Sequence, residues 1–394
     1  MRRRRAVTAA AVFLATVLTA TGLVATARDV PDERDLFDTA PTVTEAPDAG
    51  WPRTTSAAYT GTEVYAVHTR CRECNAELYV SSDEGDSWQR RTMPPAPENA
   101  LRPREASLRA LAPGVIIWRE ATFVPFPTAE TPAAESPRVM AGPTVVPWIT
   151  RDGGRSWHRA EISTQPVAVI PDGVSPIECS VWGISTCTVG VVDPATGRFA
   201  PLASQPTGIT VEDGWTSQIN VPLGGRPWIP GLDPVTRKPA VATSADGGRT
   251  WHTHVFTDGV AAVYHEVIGV AAMYLPRIAA GPGAAAYVLT HRADHVVDVR
   301  YTTDGGETWN TGDTIADGDT TGYVTADGTH ILTTTDDRTT TSAGHGTGKY
   351  TPVTLPGYPE SPSTAQFTGQ YLVTAEDGMH LSADGRTWRR ISPP

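Results

Sequence analysis

Charge, lysine and cysteine are all scarce in this 394-residue chain. Charged residues make up 19% of it, two of its 32 basic side chains are lysines, and cysteine occurs four times. No long stretch repeats its apolar residues every 3.6 positions, which argues against substantial helices. No P-loop, no dinucleotide-type glycine pattern after a strand, no Gly-x-Ser-x-Gly elbow and no His-Glu-x-x-His is present, so the enzyme classes built on them are set aside. Asn75 follows Cys71-Arg72-Glu73-Cys74, so the haem-attachment form Cys-x-x-Cys-His is missing as well. Without Arg2 to Arg5, 28 basic residues face 43 acidic ones. That acidic balance speaks against nucleic acid and against anionic membrane surfaces as partners.

Turn formers are plentiful instead, with 36 glycines and 34 prolines. Short runs rich in Val, Ile, Thr and aromatics lie between them, as an all-β chain requires. One eight-residue phrase recurs five times. Its copies are Ser81, Asp83, Gly85, Ser87, Trp88; Thr150, Asp152, Gly154, Ser156, Trp157; Ser244, Asp246, Gly248, Thr250, Trp251; Thr302, Asp304, Gly306, Thr308, Trp309; and, one residue shorter, Ser382, Asp384, Gly385, Thr387, Trp388. Physically the phrase is a hairpin turn. The Asp carboxylate folds back onto backbone N–H groups, Gly takes a positive φ, and Trp leads the returning strand.

The pattern Ser/Thr-x-Asp-x-Gly-x-Ser/Thr-Trp resembles the Asp-box of the bacterial-neuraminidase-type repeat. That resemblance implies a β-propeller of four-stranded blades, with each box at the turn between the third and fourth strands. The box aspartates are 69, 94, 58 and 80 residues apart, against roughly 40 to 50 for one blade. Two blades without boxes are therefore expected. One uses runs 167–170, 179–183 and 188–192, the turn 193–197 and a return strand from Phe199. The other uses 322–325, 330–335, 339–342 and 350–355, with its turn at 344–348. The sum is seven blades, with six or eight as the alternatives.

Arg2 to Arg5, the apolar stretch 6–27 and Ala25-Thr26-Ala27 read as a signal peptide over 1–27, with an uncleaved anchor as the other reading. The chain is then secreted or extracytoplasmic, and a membrane would touch it only through that segment. Residues 28–58, acidic and rich in Pro, Thr and Ala, read as a linker, which leaves 59–394 as one propeller domain, expected to be a monomer. In an exported chain four cysteines point to disulfides, Cys179 with Cys187 and Cys71 with Cys74. His68 with Cys71 and Cys74, or His291 with Asp294 and His295, have metal-ligand chemistry but incomplete sets. No metal and no cofactor are expected.

The resemblance further implies that ligands bind the face opposite the boxes, built from second-to-third-strand loops and blade connections, and that the boxes are structural. Loops 70–74, 121–143, 233–237, 291–295 and 336–338 fall there, with connections 94–104 and 257–274. Candidate ligand-binding residues are Arg109 and Arg277, in matching register on two inner strands, with His291, Arg292 and His295. Such an arginine can grip a carboxylate or sulfate, or close an internal ion pair. An exposed patch could also draw on Trp118, Phe123, Phe126, Tyr264 and Tyr274.

Catalytic sialidases use an arginine triad, a Tyr nucleophile assisted by Glu and an Asp acid/base. Here Arg277 in Pro276-Arg277-Ile278-Ala279, with Tyr264 and Glu266, is all that answers to that set. Non-catalytic relatives, similar to assembly factors and sortilin, use the face for binding. The reading is an exported propeller binding an envelope protein or glycan. The alternative is an exo-glycosidase of the sialidase-like group acting on an anionic sugar.

Overall fold

In a computed structural model the described residues are 53–71, 74–95, 105–121, 147–176, 188–210, 219–220, 225–260, 276–292, 296–316, 319–335, 339–346, 348–360, 362–367 and 371–394. The signal peptide and most of the linker lie outside them, as do Cys179, Cys187 and the insertion 121–143 beyond Ala121.

Seven small sheets follow one another along the chain and form a seven-bladed β-propeller. Blade 1 is β1 (Arg53–Tyr59), β2 (Val64–Thr69), β3 (Glu77–Ser81) and β4 (Gln89–Arg91). Its first strand thus begins in the last residues assigned to the linker. Blade 2 is β5 (Glu105–Ala112), β6 (Val115–Ala121), β7 (Trp148–Thr150) and β8 (His158–Arg159). Blade 3 holds β9 (Glu161–Ile162), β10 (Gly190–Val192) and β11 (Arg198–Pro201). Next come β12 (Ile219–Asn220) and blade 4, formed by β13 (Trp228–Leu232), β14 (Pro239–Thr243) and β15 (His252–Val255). Blade 5 is β16 (Arg277–Ala280), β17 (Ala286–His291), β18 (Val296–Thr302) and β19 (Asn310–Ala316), and β12 joins its sheet by pairing parallel to β16. Blade 6 is β20 (Asp319–Val324), β21 (His330–Thr335), β22 (Thr339–Gly344) and β23 (Thr351–Pro352). Blade 7 is β24 (Pro362–Phe367), β25 (Tyr371–Ala375), β26 (Gly378–Ser382) and β27 (Arg389–Ile391).

Both blades without boxes are present, and the strands of blade 6 fall where its runs predict. Blade 3 departs from expectation. Residues 167–170 do not form an inner strand; Val167 instead bridges Leu202 in parallel, and β9 runs parallel to β11. The reason is an exposed edge. Ser163 N–H donates to Phe199 O at 2.7 Å and Val167 N–H to Pro201 O at 2.9 Å, so this segment covers the outer rim of β11 and satisfies its free backbone groups.

Alternation along each strand sends apolar side chains to both flanking blades. The buried core is accordingly a chain of interfaces, such as Tyr65, Val67 and Leu78 of blade 1 against Leu108, Ile116 and Trp118 of blade 2. The ring closes without a shared strand. Leu372, Met379, Leu381 and Ile391 of blade 7 pack on Ala57, Tyr59, Val64 and Ala66 of blade 1, and Arg389 reaches Glu84 and Asp86 at 3.3 Å each.

Each box is satisfied within its own turn. In blade 1, Ser81 Oγ donates to Asp83 Oδ1 at 2.7 Å, Gly85 N–H donates to Ser81 Oγ at 2.7 Å, and Ser87 gives its amide and hydroxyl to the two carboxylate oxygens at 2.8 and 2.5 Å. The Ser87 hydroxyl above all, then its amide and Ser81, hold the Asp83 carboxyl down to about 2. The turn glycine does something more. It has φ between 56° and 97° in all seven blades, at Gly85, Gly154, Gly197, Gly248, Gly306, Gly346 and Gly385. Every one abuts the preceding blade. A Cβ on Gly85 would stand 2.8 Å from Ile391, on Gly154 3.0 Å from Leu78, on Gly197 3.3 Å from Arg151, on Gly248 3.0 Å from Leu202 and on Gly306 3.2 Å from Trp228. A Cβ on Gly385 would stand 3.0 Å from Tyr371 of its own blade and 3.2 Å from Tyr323 of the preceding one, and a Cβ on Gly346 would make ordinary contact with Tyr301 at 3.6 Å. Two of the box tryptophans reach back as well, Trp157 to Thr92 O at 2.8 Å and Trp251 to Ser204 O at 3.0 Å.

Two outcomes follow from this packing. Gly85→Ala combines a left-handed backbone with a clash, whereas Gly114, at φ 70°, has open space around it. Gly114→Ala should cost about 1 kcal/mol and Gly85→Ala about 2–3 kcal/mol in urea unfolding; equal losses would deny the inter-blade contact. His330 lies between blades 5 and 6, stacked on Tyr287 with ring centroids 4.3 Å apart, and its Nδ1 is 2.5 Å from Tyr350 Oη. Burial lowers its pKa from 6.5 to about 3. The unfolded chain therefore binds this proton first as pH falls, so the stability His330 provides is whole above pH 6.5 and is lost between 6.5 and 3, by up to about 1.4 kcal/mol per pH unit. His330→Phe should flatten the wild-type dependence of unfolding free energy on pH over that range, and an unchanged slope would contradict the assignment.

Candidate functional site

First-to-second and third-to-fourth turns share one face of the ring with the boxes. The opposite face carries the second-to-third connections, among them those that leave β2 at Arg70 and Cys71, β13 at 233–238 and β17 at Arg292; residues 72–73 and 293–295 lie outside the described residues. These are the loops the sequence assigns to that face; 336–338 lies outside the described residues.

On blade 1 this face holds a compact polar group. Glu77, Tyr79 and His68 lie on one side of the hairpin, because His68 pairs with Glu77 across the strands and Tyr79 is two residues on. Tyr79 Oη donates to Glu77 Oε2 at 2.6 Å, Arg70 Nη2 donates to Tyr79 Oη at 2.9 Å, and Arg90 meets Glu77 Oε1 at 2.9 Å. Arg70 nevertheless leaves 60% of its side chain exposed. His68 is buried edge-on to Tyr79, and its burial, followed by the Arg70 charge, lowers its pKa. A Cys71–Cys74 disulfide closes the loop between the strands, as expected. Sequence reading passed over Glu77, Tyr79 and Arg90, although the alternation Glu77-Leu78-Tyr79-Val80 places the two polar side chains on one side of β3.

A second group lies on blade 5. The start of the expected connection 257–274 meets the residue that follows β17, since Val260 bridges Arg292; residues 261–274 lie outside the described residues. Behind them Arg300 and Asp298 are buried and paired at 3.3 Å. Arg300 also donates to Asp258 O at 2.7 Å, Thr290 Oγ1 at 3.1 Å and Thr311 Oγ1 at 3.2 Å, and its guanidinium stands 5.4 Å from the Phe256 ring centroid. Asp298 accepts from Thr314 Oγ1 at 3.0 Å and is 3.8 Å from Arg292. This pair ties the outward-facing Arg292 to the core of the blade.

Arg109 and Arg277 occupy the first strands of blades 2 and 5, three residues before the strand ends at Ala112 and Ala280. Both are half-buried, and Arg109 Nη2 donates to Pro176 O at 3.4 Å. His291 is buried at the end of β17. Trp118, expected as a surface candidate, is 1% exposed and belongs to the interface of blades 1 and 2, because its place on β6 puts it in one buried cluster with Tyr65 and Leu78 of blade 1, edge-on to Trp157 of its own blade. Val235, at the tip of the loop from Asp233, is 86% exposed. Asp233 fixes that tip by accepting from the amides of Val235 and Thr236 and from the Thr236 hydroxyl. Tyr264, Glu266, His295, Asp294, Phe123, Phe126 and Tyr274 lie outside the described residues.

The buried pair of blade 5 makes a sharp expectation. Arg300→Met strands a buried carboxylate and should cost about 3–5 kcal/mol in urea unfolding, while adding Asp298→Asn should restore part of it. A single-variant cost below about 1 kcal/mol would mean the pair is solvated.

The BNR/Asp-box repeat model matches residues 300–311, the segment holding Asp304 and Trp309. No curated protein matches the chain. Among solved structures, YCF48 bound to a D1 peptide is similar at 12% identity, over 71% of this chain and 75% of that one, with a TM-score of 0.33. The SapL1 lectin in complex with alpha methyl fucoside is similar at 9% identity, over 87% and 97%, with a TM-score of 0.36. Trypanosoma rangeli sialidase in complex with the inhibitor DANA is similar at 11% identity, over 86% and 54%, with a TM-score of 0.37.

Proposed function

We propose that this Asp-box β-propeller is an exported binding module that takes an envelope protein or a glycan on the face opposite its boxes. One observation carries the reading: Arg70 is held in place by Tyr79 and Glu77 beside a disulfide-closed loop, while most of its side chain stays in water. A guanidinium fixed before a ligand arrives loses little entropy on binding and suits carboxylate or sulfate groups. Arg292, tied to Asp298, and the exposed Val235 widen the same face with a second cation and an apolar contact. The boxes take no part, because their carboxylates accept hydrogen bonds from their own turns.

Binding of the purified chain to arrays of sialylated, sulfated and neutral glycans and of acidic peptides tests this reading. Arg70→Ala should weaken the strongest interaction about tenfold or more, whereas Arg155→Ala and Arg249→Ala on the box face should leave it unchanged. Loss of binding in the box-face variants alone would place the site on the other side.

Glycoside cleavage is the second reading, favoured by the 2.6 Å contact between the Tyr79 phenol and Glu77 with Arg70 beside it. These are the residue types that the sialidase resemblance implies, though not at the positions picked from sequence. Turnover of a fluorogenic sialoside, abolished by Tyr79→Phe or by Arg277→Ala, would establish it. No turnover over a panel of exo-glycosides would leave the binding module.

A further inference from the structure

We propose that Cys71–Cys74 is a thiol–disulfide exchange site whose substrate is a cysteine dithiol in a polypeptide. The bond has little structural work to do. β2 and β3 are already paired from Val64↔Ser81 to His68↔Glu77, and a Cys74 amide to Cys71 carbonyl bond of 3.1 Å closes the turn unaided. With two residues between the cysteines, the cross-link restrains a very short piece of unfolded chain, where the entropic gain from a disulfide is least. It is also reachable, since Cys74 is exposed and Cys71 half-exposed. Cys-x-x-Cys spacing and a neighbouring cation are both settings that favour the thiolate, and Arg70 directly precedes Cys71.

That asymmetry gives the step a direction. A substrate thiolate attacks Cys74 Sγ, forming a substrate–Cys74 disulfide and breaking the Cys71–Cys74 bond. The electron pair leaves on the sulfur of Cys71, the less exposed of the two residues and the one that directly follows Arg70 in the chain; a leaving thiol of lower pKa departs faster. The second substrate thiolate then attacks its partner sulfur, releasing Cys74 as thiolate. The substrate dithiol is oxidised to a disulfide, Cys71 and Cys74 are reduced, and the two protons given up by the substrate thiols end on the two cysteines. One chain oxidises one dithiol. The inference is independent of ligand binding on this face, which other measurements read.

The test mixes the full chain with a reduced fluorescent peptide carrying two cysteines and follows peptide oxidation by mass. The Cys71→Ala/Cys74→Ala variant serves as the reference, which subtracts any reaction at Cys179 and Cys187. The expected result is one peptide oxidised per chain, at least tenfold faster than by oxidised glutathione at equal concentration, with the reduced protein melting within a few degrees of the oxidised form. Cys71→Ala mixed with the oxidised peptide should hold it as a mixed disulfide on Cys74, and Arg70→Met should slow the first step several-fold. A rate no greater than that of glutathione, or a melting temperature that collapses on reduction, would overturn the proposal and leave a structural disulfide.

Discussion

The ring depends on a left-handed glycine at the outer turn of every blade. Only there can the chain both reverse and let the preceding blade come within van der Waals reach of the backbone. A side chain at Gly85 would collide with Ile391 and one at Gly248 would crowd the end of Leu202, so the glycine supplies clearance as well as a positive φ. Five blades build this turn as an Asp-box. Blade 3 builds it with Asp193, whose carbonyl accepts from Gly197 N–H at 2.7 Å and whose carboxylate takes the Thr196 hydroxyl. In blade 6 the Gly346 amide donates to Tyr287 Oη of blade 5. The acidic residue can therefore vary while the glycine and its neighbour stay.

This constraint separates structure from function by face. Box aspartates spend their acceptor capacity on their own hydroxyls and amides, and hydrogen bonds to the charged form drive their pKa values down. Blade 1 is the one box that puts a residue other than glycine at its first left-handed position, Glu84 at φ 57°. Its carbonyl and carboxylate receive Arg389 from blade 7, so the local strain accompanies closure of the ring. On the opposite face no such uniform demand exists. There the loops differ in length from blade to blade and carry a disulfide, an exposed valine and cations tied to Glu77 and to the buried Asp298.

Much of the fold was legible because it repeats. Asp-x-Gly-x-Ser/Thr-Trp is a local signal, and its spacing together with the strand-like runs in the two long gaps gave seven blades, with six or eight left as alternatives. The inner position expected for 167–170 failed because short apolar runs look alike in sequence, and hydrogen bonding to an open strand edge decided where this one lies. The site was harder. Arg109 and Arg277 lie on the first strands of blades 2 and 5, yet the polar group at Glu77, Tyr79, Arg70 and Arg90 arises from cross-strand neighbours, and pairing register has to be known before such neighbours can be. Trp118 shows the converse, since an aromatic on an alternating strand faces the core or solvent according to that same register.

If the turn glycines lock each blade to the one before it, Gly85 and Ile391 must be energetically coupled. A double-mutant cycle of Gly85→Ala with Ile391→Ala, measured by urea unfolding, reads that coupling directly. The account predicts that Ile391→Ala, which removes Cγ2 at 2.8 Å and Cδ1 at 3.1 Å but keeps Cβ, relieves part of the clash, so that Gly85→Ala costs about 1 kcal/mol less in the Ile391→Ala background. Additive costs, with no coupling beyond measurement error, would show that the glycine serves its own turn alone and would contradict the inter-blade lock.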